Sequence, residues 1–107
     1  MRKEALIKLI LSLPEAQQSA HESAPDFRVG SRIFATLSAP ETLVLNLTPE
    51  QQGMVLKSDP EIYAPVEGSW GKRGWTNAKV DALDEATALA ALIMAYGNAT
   101  GKQAAAS

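Results

Sequence analysis

Apolar positions at the start of the chain recur with the spacing of a helix. Ala5, Leu6, Leu9, Ile10 and Leu13 form one stripe, and Arg2, Lys3, Glu4 and Lys8 mostly occupy the other side. That arrangement predicts an amphipathic helix over residues 2–13. Pro14 ends it, because the residue before a proline is pushed out of the helical region. Residues 15–24 are polar and weakly patterned, and a short edge strand over Ser19–Ala24, bounded by Pro25, is expected there. The period then changes to that of strands. Phe27, Val29, Ile33, Phe34 and Leu37 suit strands, and Gly30-Ser31 between Asp26–Val29 and Arg32–Ser38 suits a two-residue hairpin turn with glycine first. A second turn is expected at Ala39-Pro40-Glu41. Leu43-Val44-Leu45-Asn46-Leu47 alternates next, placing its leucines on one face.

Thr48-Pro49-Glu50-Gln51 then starts a helix sharply. Threonine caps, proline takes the first helical position, and Gln51 completes a capping box. This helix is predicted to reach about Ser58 and to carry Met54 and Val55 inward. Asp59-Pro60-Glu61 begins a short turn. Ala64–Gly74, with Pro65, Gly68, Gly71 and Gly74, reads as a loop. Trp75–Val80 reads as a strand with Thr76, Ala78 and Val80 on one face and Trp75, Asn77 and Lys79 on the other. Asp84 caps a last helix whose apolar side holds Leu89, Leu92, Ile93 and Tyr96, and Gly97 and Gly101 signal its end. The order α-β-β-β-β-α-β-α predicts one α+β domain over residues 1–102, with residues 103–107 as a disordered tail. An antiparallel sheet of four to five strands would have helices packed on one face, leaving the other to water or a partner.

Composition narrows the chemistry. The chain has 107 residues and no cysteine, which excludes disulfides, thiolate nucleophiles and cysteine-ligated metals. Its net charge of −2 shows no general basic excess, so any nucleic-acid surface must be a local patch. Arg2 and Lys3 resemble the start of a signal peptide, but Glu4 and Lys8 interrupt the apolar stretch that should follow. No run is long enough to span a membrane. A cytoplasmic monomer is the expectation.

One segment stands out against this background. Trp70-Gly71-Lys72-Arg73-Gly74-Trp75 contains both tryptophans, and no acidic residue falls between Trp70 and Val80. Aromatic rings stack on bases and cations neutralise phosphates. Arg28 and Arg32 straddle the hairpin turn and, with Lys72, Arg73 and Lys79, would form a cationic surface if the turn and this segment lie side by side. The competing reading is a solvated surface paired with Glu67, Asp81 or Asp26, each such pair contributing about 0–1 kcal/mol. With Thr76, Ala78 and Val80 facing the helices, Trp75 falls on the open sheet face beside Asn77 and Lys79, the alternative being that it covers the sheet rim under the loop, while Trp70 plugs the end of the domain. His21, the single histidine, has no nucleophile pattern around it. No phosphate loop, dinucleotide fingerprint or nucleophile elbow occurs, and the glycines at 68, 71 and 74 are expected to lack a following helix.

Pro25, Phe27-Arg28-Val29-Gly30 and Ile33-Phe34-Ala35 resemble the first signature of the MmcQ/YjbR family. The strand Leu43–Leu47 running into Thr48-Pro49-Glu50, then Trp70-Gly71-Lys72-Arg73-Gly74-Trp75, resemble the rest. The resemblance spans about residues 4–97. It implies a compact CyaY-like, or frataxin-like, α+β domain, labelled DNA-binding through a proposed double wing of hairpins. Asn46 stands where many members carry a lysine, and Glu22 where an aromatic often follows the histidine matched by His21. The frataxin-like fold also raises iron binding. That would need a dense carboxylate ridge, whereas the first helix sets Arg2, Lys3 and Lys8 against Glu4.

The expectation is therefore a non-enzymatic protein with no catalytic residue, cofactor or metal. It would bind DNA weakly and largely independently of sequence. Arg28, Arg32, Lys72, Arg73 and Lys79 would contact phosphates, and Trp75 would stack. A protein-interaction module anchored on the open sheet face, or a small-anion domain at the hairpin tip, stands as the alternative.

Overall fold

The computed structural model describes residues 1–19, 24–38 and 41–101. The first helix, α1, covers Lys3–Leu11 and buries Leu6 and Ile10, the centre of the predicted stripe. A two-residue strand β1 covers Gln17–Gln18, and of the edge strand expected at Ser19–Ala24, residues 20–23 lie outside the described residues. Strands β2 (Asp26–Val29) and β3 (Arg32–Ser38) form the predicted hairpin. Positive φ at its turn falls on Gly30, at +63°, where a glycine-first turn requires it. Strand β4 (Thr42–Asn46) follows, and Leu43, Leu45 and Leu47 are all buried.

Helix α2 (Pro49–Ser58) starts as the local chemistry dictates. The Gln51 backbone N–H donates to the Thr48 hydroxyl at 3.1 Å, and the Thr48 N–H donates to Gln51 Oε1 at 3.0 Å. Val55 faces inward, but Met54 is 61% exposed, contrary to expectation. The segment read as a loop contains two further elements, a short strand β5 (Tyr63–Pro65) and a one-turn helix α3 (Ser69–Lys72) that follows Gly68. Strand β6 covers Trp75–Lys79, a 3-10 turn covers Val80–Ala82, and α4 runs from Glu85 to Thr100. Asp84 caps α4 by accepting from the Thr87 N–H at 2.7 Å. The helix passes through Gly97 and stops at Gly101, whose φ is +72°.

The six strands make one antiparallel sheet in the order β1-β2-β3-β4-β6-β5. Helix α4 lies across β3 and β4, α1 packs against α4, and α2 sits by β5 and β6. The covered face contributes Phe27, Leu37, Leu43, Leu45 and Ala78 to the core. Helix α4 approaches it through Ala88, Ala91, Leu92, Ala95 and Tyr96, while Leu89 and Ile93 are only partly buried. Alanines at three of these five positions let the helix axis come close to the sheet, with Leu92 and Tyr96 filling the space between them. Tyr96 meets Phe34 edge-to-face at 5.6 Å and donates its hydroxyl to the Pro14 carbonyl at 2.7 Å, tying the end of α1 to α4. Phe34 reaches this position because the β2–β3 register shifts: Ala35 pairs with Phe27 and Ile33 with Arg28, leaving Phe34 as the extra residue.

Among the described residues, no helix is long and apolar enough to cross a membrane, and no three histidine or acidic side chains gather around a common metal position.

Candidate functional site

Strand alternation leaves the other sheet face without a helix across it. Three cross-strand rows run over it. One sets Arg28 beside Ile33 and Asn46 beside Trp75; the next holds Asp26, Thr36, Val44, Asn77 and Ala64; the last holds Ser38, Thr42 and Lys79. The hairpin tip therefore lies at the same end of the sheet as Trp75. Lys79 lies four residues further along β6, about 13 Å away at strand spacing.

A groove of about 510 Å³ opens on this face, lined by Ser31, Arg32, Ile33, Thr36, Val44, Asn46, Val66, Trp70 and Trp75. Its floor is mostly apolar, with Ile33, Val44 and Val66 between the polar groups. Trp70 comes from α3 and does not plug the domain end. It is 54% exposed and meets Trp75 edge-to-face, with ring centroids 5.6 Å apart at 84°. The Arg73 guanidinium carbon sits over the Trp70 ring, 5.5 Å from its centroid, in a cation–π contact that holds the charge beside the groove.

Backbone packing fixes the tryptophans. Gly71 is buried against the Val66 backbone, and a Cβ there would collide with the Val66 carbonyl. Gly74 has φ +111°, and a Cβ on it would stand 2.7 Å from the Thr48 carbonyl carbon. The Gln52 side-chain amide reaches from α2 and donates to both the Gly71 and Trp75 carbonyls, each at 3.0 Å. One side chain thus joins the helix carrying Trp70 to the strand carrying Trp75. The Asn98 amide donates to the Asn46 carbonyl at 2.8 Å and to Gln51 Oε1 at 2.7 Å, tying the end of β4 to α4 and to the α2 cap.

Of the residues singled out in the sequence, Arg32 and Trp75 line the groove and Arg73 borders it through Trp70. Arg28 stands on the same face at the hairpin end, and Lys72 is exposed on α3. Lys79 does not join them. Among the described residues, none of these cations is held in an ion pair. Asp26 accepts instead from the Thr36 hydroxyl at 2.9 Å. At the opposite end of the sheet, a hydrogen bond that the protonated Glu41 carboxyl donates to Asp81, together with the Asp81 charge, raises the Glu41 carboxyl above its ordinary range, and the Glu4 charge adds to the effect. His21 and Glu22 lie outside the described residues.

Sequence reading missed Trp70, Asn46 and Gln52 as parts of this site. Trp70 was visible as half of an aromatic pair, but nothing local shows that α3 turns it onto the open face.

The family model named YjbR matches residues 11–97. The chain belongs to the YjbR family. No curated protein sequence matches it. Among solved structures, it resembles the crystal structure of the Deinococcus radiodurans protein DR2400, described as carrying the domain DUF419. The two superpose with a TM-score of 0.73 at 19% identity, over 95% of this chain and 82% of that one. At that identity the likeness establishes a shared α+β fold.

Proposed function

We propose that this YjbR-family chain is a non-enzymatic, cytoplasmic, monomeric binding domain whose open sheet face takes up single-stranded DNA, weakly and largely independently of sequence. The observation that carries this reading is that Trp70, Trp75 and Arg32 line one groove with Arg73 fixed at its border. Stacking needs exposed base faces, which a single strand offers and a duplex hides. Arg32, Arg73, Arg28 and Lys72 supply the phosphate contacts in this reading. A net charge of −2 favours a short footprint over coating of a duplex.

The test is a titration with labelled single-stranded and duplex DNA of one sequence at two salt concentrations. Single-stranded binding that weakens with salt is expected, with duplex binding weaker. Trp70→Ala should lower affinity by about fivefold to a hundredfold, the range for one lost stacking contact. Lys72→Ala with Arg73→Ala should lower affinity and flatten its salt dependence. Absence of binding at low salt, or affinity indifferent to Trp70, overturns the proposal.

The exposure of Trp70 over a mainly apolar floor also favours a second reading, a protein partner anchored on that ring. Such binding would survive high salt and still be lost with Trp70.

A further inference from the structure

The two tryptophans constrain any strand that meets both of them. Both rings line the one groove, their planes cross at 84°, and their centroids are 5.6 Å apart. A base clamped between two rings needs them parallel and about 6.8 Å apart, twice the roughly 3.4 Å spacing of stacked bases. No base therefore fits between Trp70 and Trp75. Each ring can receive a base only on a face that the other ring leaves clear, and Arg73 already stands over the Trp70 ring. The crossed arrangement is fixed from the backbone. Gly71 is packed against Val66, and the Gln52 amide donates to the Gly71 and Trp75 carbonyls.

We infer that this crossed pair selects strands whose neighbouring bases separate easily, so that the groove prefers thymine runs to adenine runs. This rests on the single-strand reading above and names the kind of strand it favours. A base stacked on a ring lies parallel to it, so bases stacked on Trp70 and Trp75 lie nearly perpendicular to one another. Successive bases of a stacked strand are parallel. A strand that fills both rings must therefore break one base–base stack and turn its backbone between the two nucleotides. Thymines overlap little and give up that stack at small cost. Adenines have two fused rings, overlap more and resist the turn. The preference comes from stacking strength and backbone flexibility, not from hydrogen bonds to base edges, and such preferences are modest, about threefold to tenfold. A single nucleotide has no neighbour to leave, so the preference should vanish or reverse there, because the larger adenine ring gains more from stacking.

The experiment measures affinity at low salt for oligo(dT) and oligo(dA) of one length, each with the same terminal dye, by fluorescence anisotropy. It also titrates dTMP and dAMP against the tryptophan indole N–H signals by proton–nitrogen NMR. Mononucleotides keep any contact of Arg32 or Asn46 with a base edge, so they separate edge reading from strand flexibility. The wild type should bind oligo(dT) about threefold to tenfold more tightly than oligo(dA), while dTMP binds no more tightly than dAMP. Trp70→Ala leaves Trp75 as a single platform on which a stacked strand can continue, so the oligo(dT) to oligo(dA) ratio should fall towards one. Trp70 is 54% exposed, so its loss opens no cavity in the core. Equal affinity for the two strands, tighter oligo(dA), a dTMP preference as large as that for oligo(dT), or an oligo(dT) preference that survives Trp70→Ala refutes the role of the crossed pair and leaves strand binding standing. If neither strand binds, both proposals fall.

Discussion

Gly74→Ala tests whether backbone contact, and not sequence composition alone, sets the position of the tryptophan pair. Gly74 sits at φ +111°, where an L side chain is strained by about 1–3 kcal/mol. Its new methyl would also stand 2.7 Å from the Thr48 carbonyl carbon and 2.8 Å from that of Leu47, and closer still to the Leu47 oxygen. Carbon atoms rest at about 3.5–4.0 Å, so the β4–α2 junction would have to open by roughly an ångström. Overpacking of this kind costs about 1–3 kcal/mol more. The sum, about 2–6 kcal/mol, is a large share of the 5–15 kcal/mol typical of a domain. With an m-value of about 1–3 kcal/mol/M, the urea midpoint should fall by at least about 0.7 M. Gly53→Ala is the matched control. Gly53 lies inside α2, and its Cβ would meet open space, so alanine should stabilise by about 0.5–1 kcal/mol. Urea titration followed by far-UV circular dichroism reads both. A Gly74→Ala midpoint within about 0.3 M of wild type would refute the packing argument, because neither the φ cost nor the collision could then be real.

Gln52→Met keeps the side-chain length and removes the amide that holds the Gly71 and Trp75 carbonyls. A loss of about 1–2 kcal/mol in urea is expected, together with a change in the near-UV tryptophan bands. Thr48→Ala removes the α2 cap and should cost about 1 kcal/mol by the same measurement, without altering those bands. Glu41 gives a pH dependence of defined sign. Its carboxyl lies above its ordinary value of 4.5 because Asp81 faces it, so the folded chain holds that proton more firmly than the unfolded one. The stabilising effect is present below about pH 4.5 and is lost as pH rises through the elevated value, so Glu41→Gln should gain stability relative to wild type between pH 4.5 and neutrality. Urea midpoints across that interval check it.

Features set by short-range chemistry were legible in the sequence. The Thr48–Gln51 capping box, the Asp84 cap, the Gly30 turn and the two faces of β6 all depend on neighbours a few residues away. What escaped depends on partners remote in sequence. Strand β5 is three residues long and is a strand only because β6 pairs with it. Helix α3 contains a glycine that propensity disfavours, and it persists because only glycine fits against Val66. Met54 and Val55 are adjacent on one helix and cannot both face one surface; the sheet takes Val55. The site followed the same rule. Alternation placed Trp75 on the open face, but bringing it to the hairpin end required β6 to pair with β4, which no local pattern encodes. The same pairing sends Lys79 to the other end, although it shares a face with Trp75.

That separation has a measurable consequence for salt dependence. Arg28, Arg32, Lys72 and Arg73 lie at the hairpin and α3 end, whereas Asp81 and Glu4 act on the Glu41 carboxyl at the end where Lys79 stands. A strand lying in the groove would be attracted at one end and repelled at the other, so its contact should stop short of Lys79. With three or four phosphates neutralised, the slope of log affinity against log salt for single-stranded DNA should be about −2 to −3, since each contributes about −0.7. Lys79→Ala should leave that slope unchanged, whereas Arg32→Ala with Arg73→Ala should reduce its magnitude by about 1.4. A slope that falls by the same amount for Lys79→Ala would mean the strand runs the length of the sheet past the carboxylates. The groove at the tryptophans would then be only part of the contact.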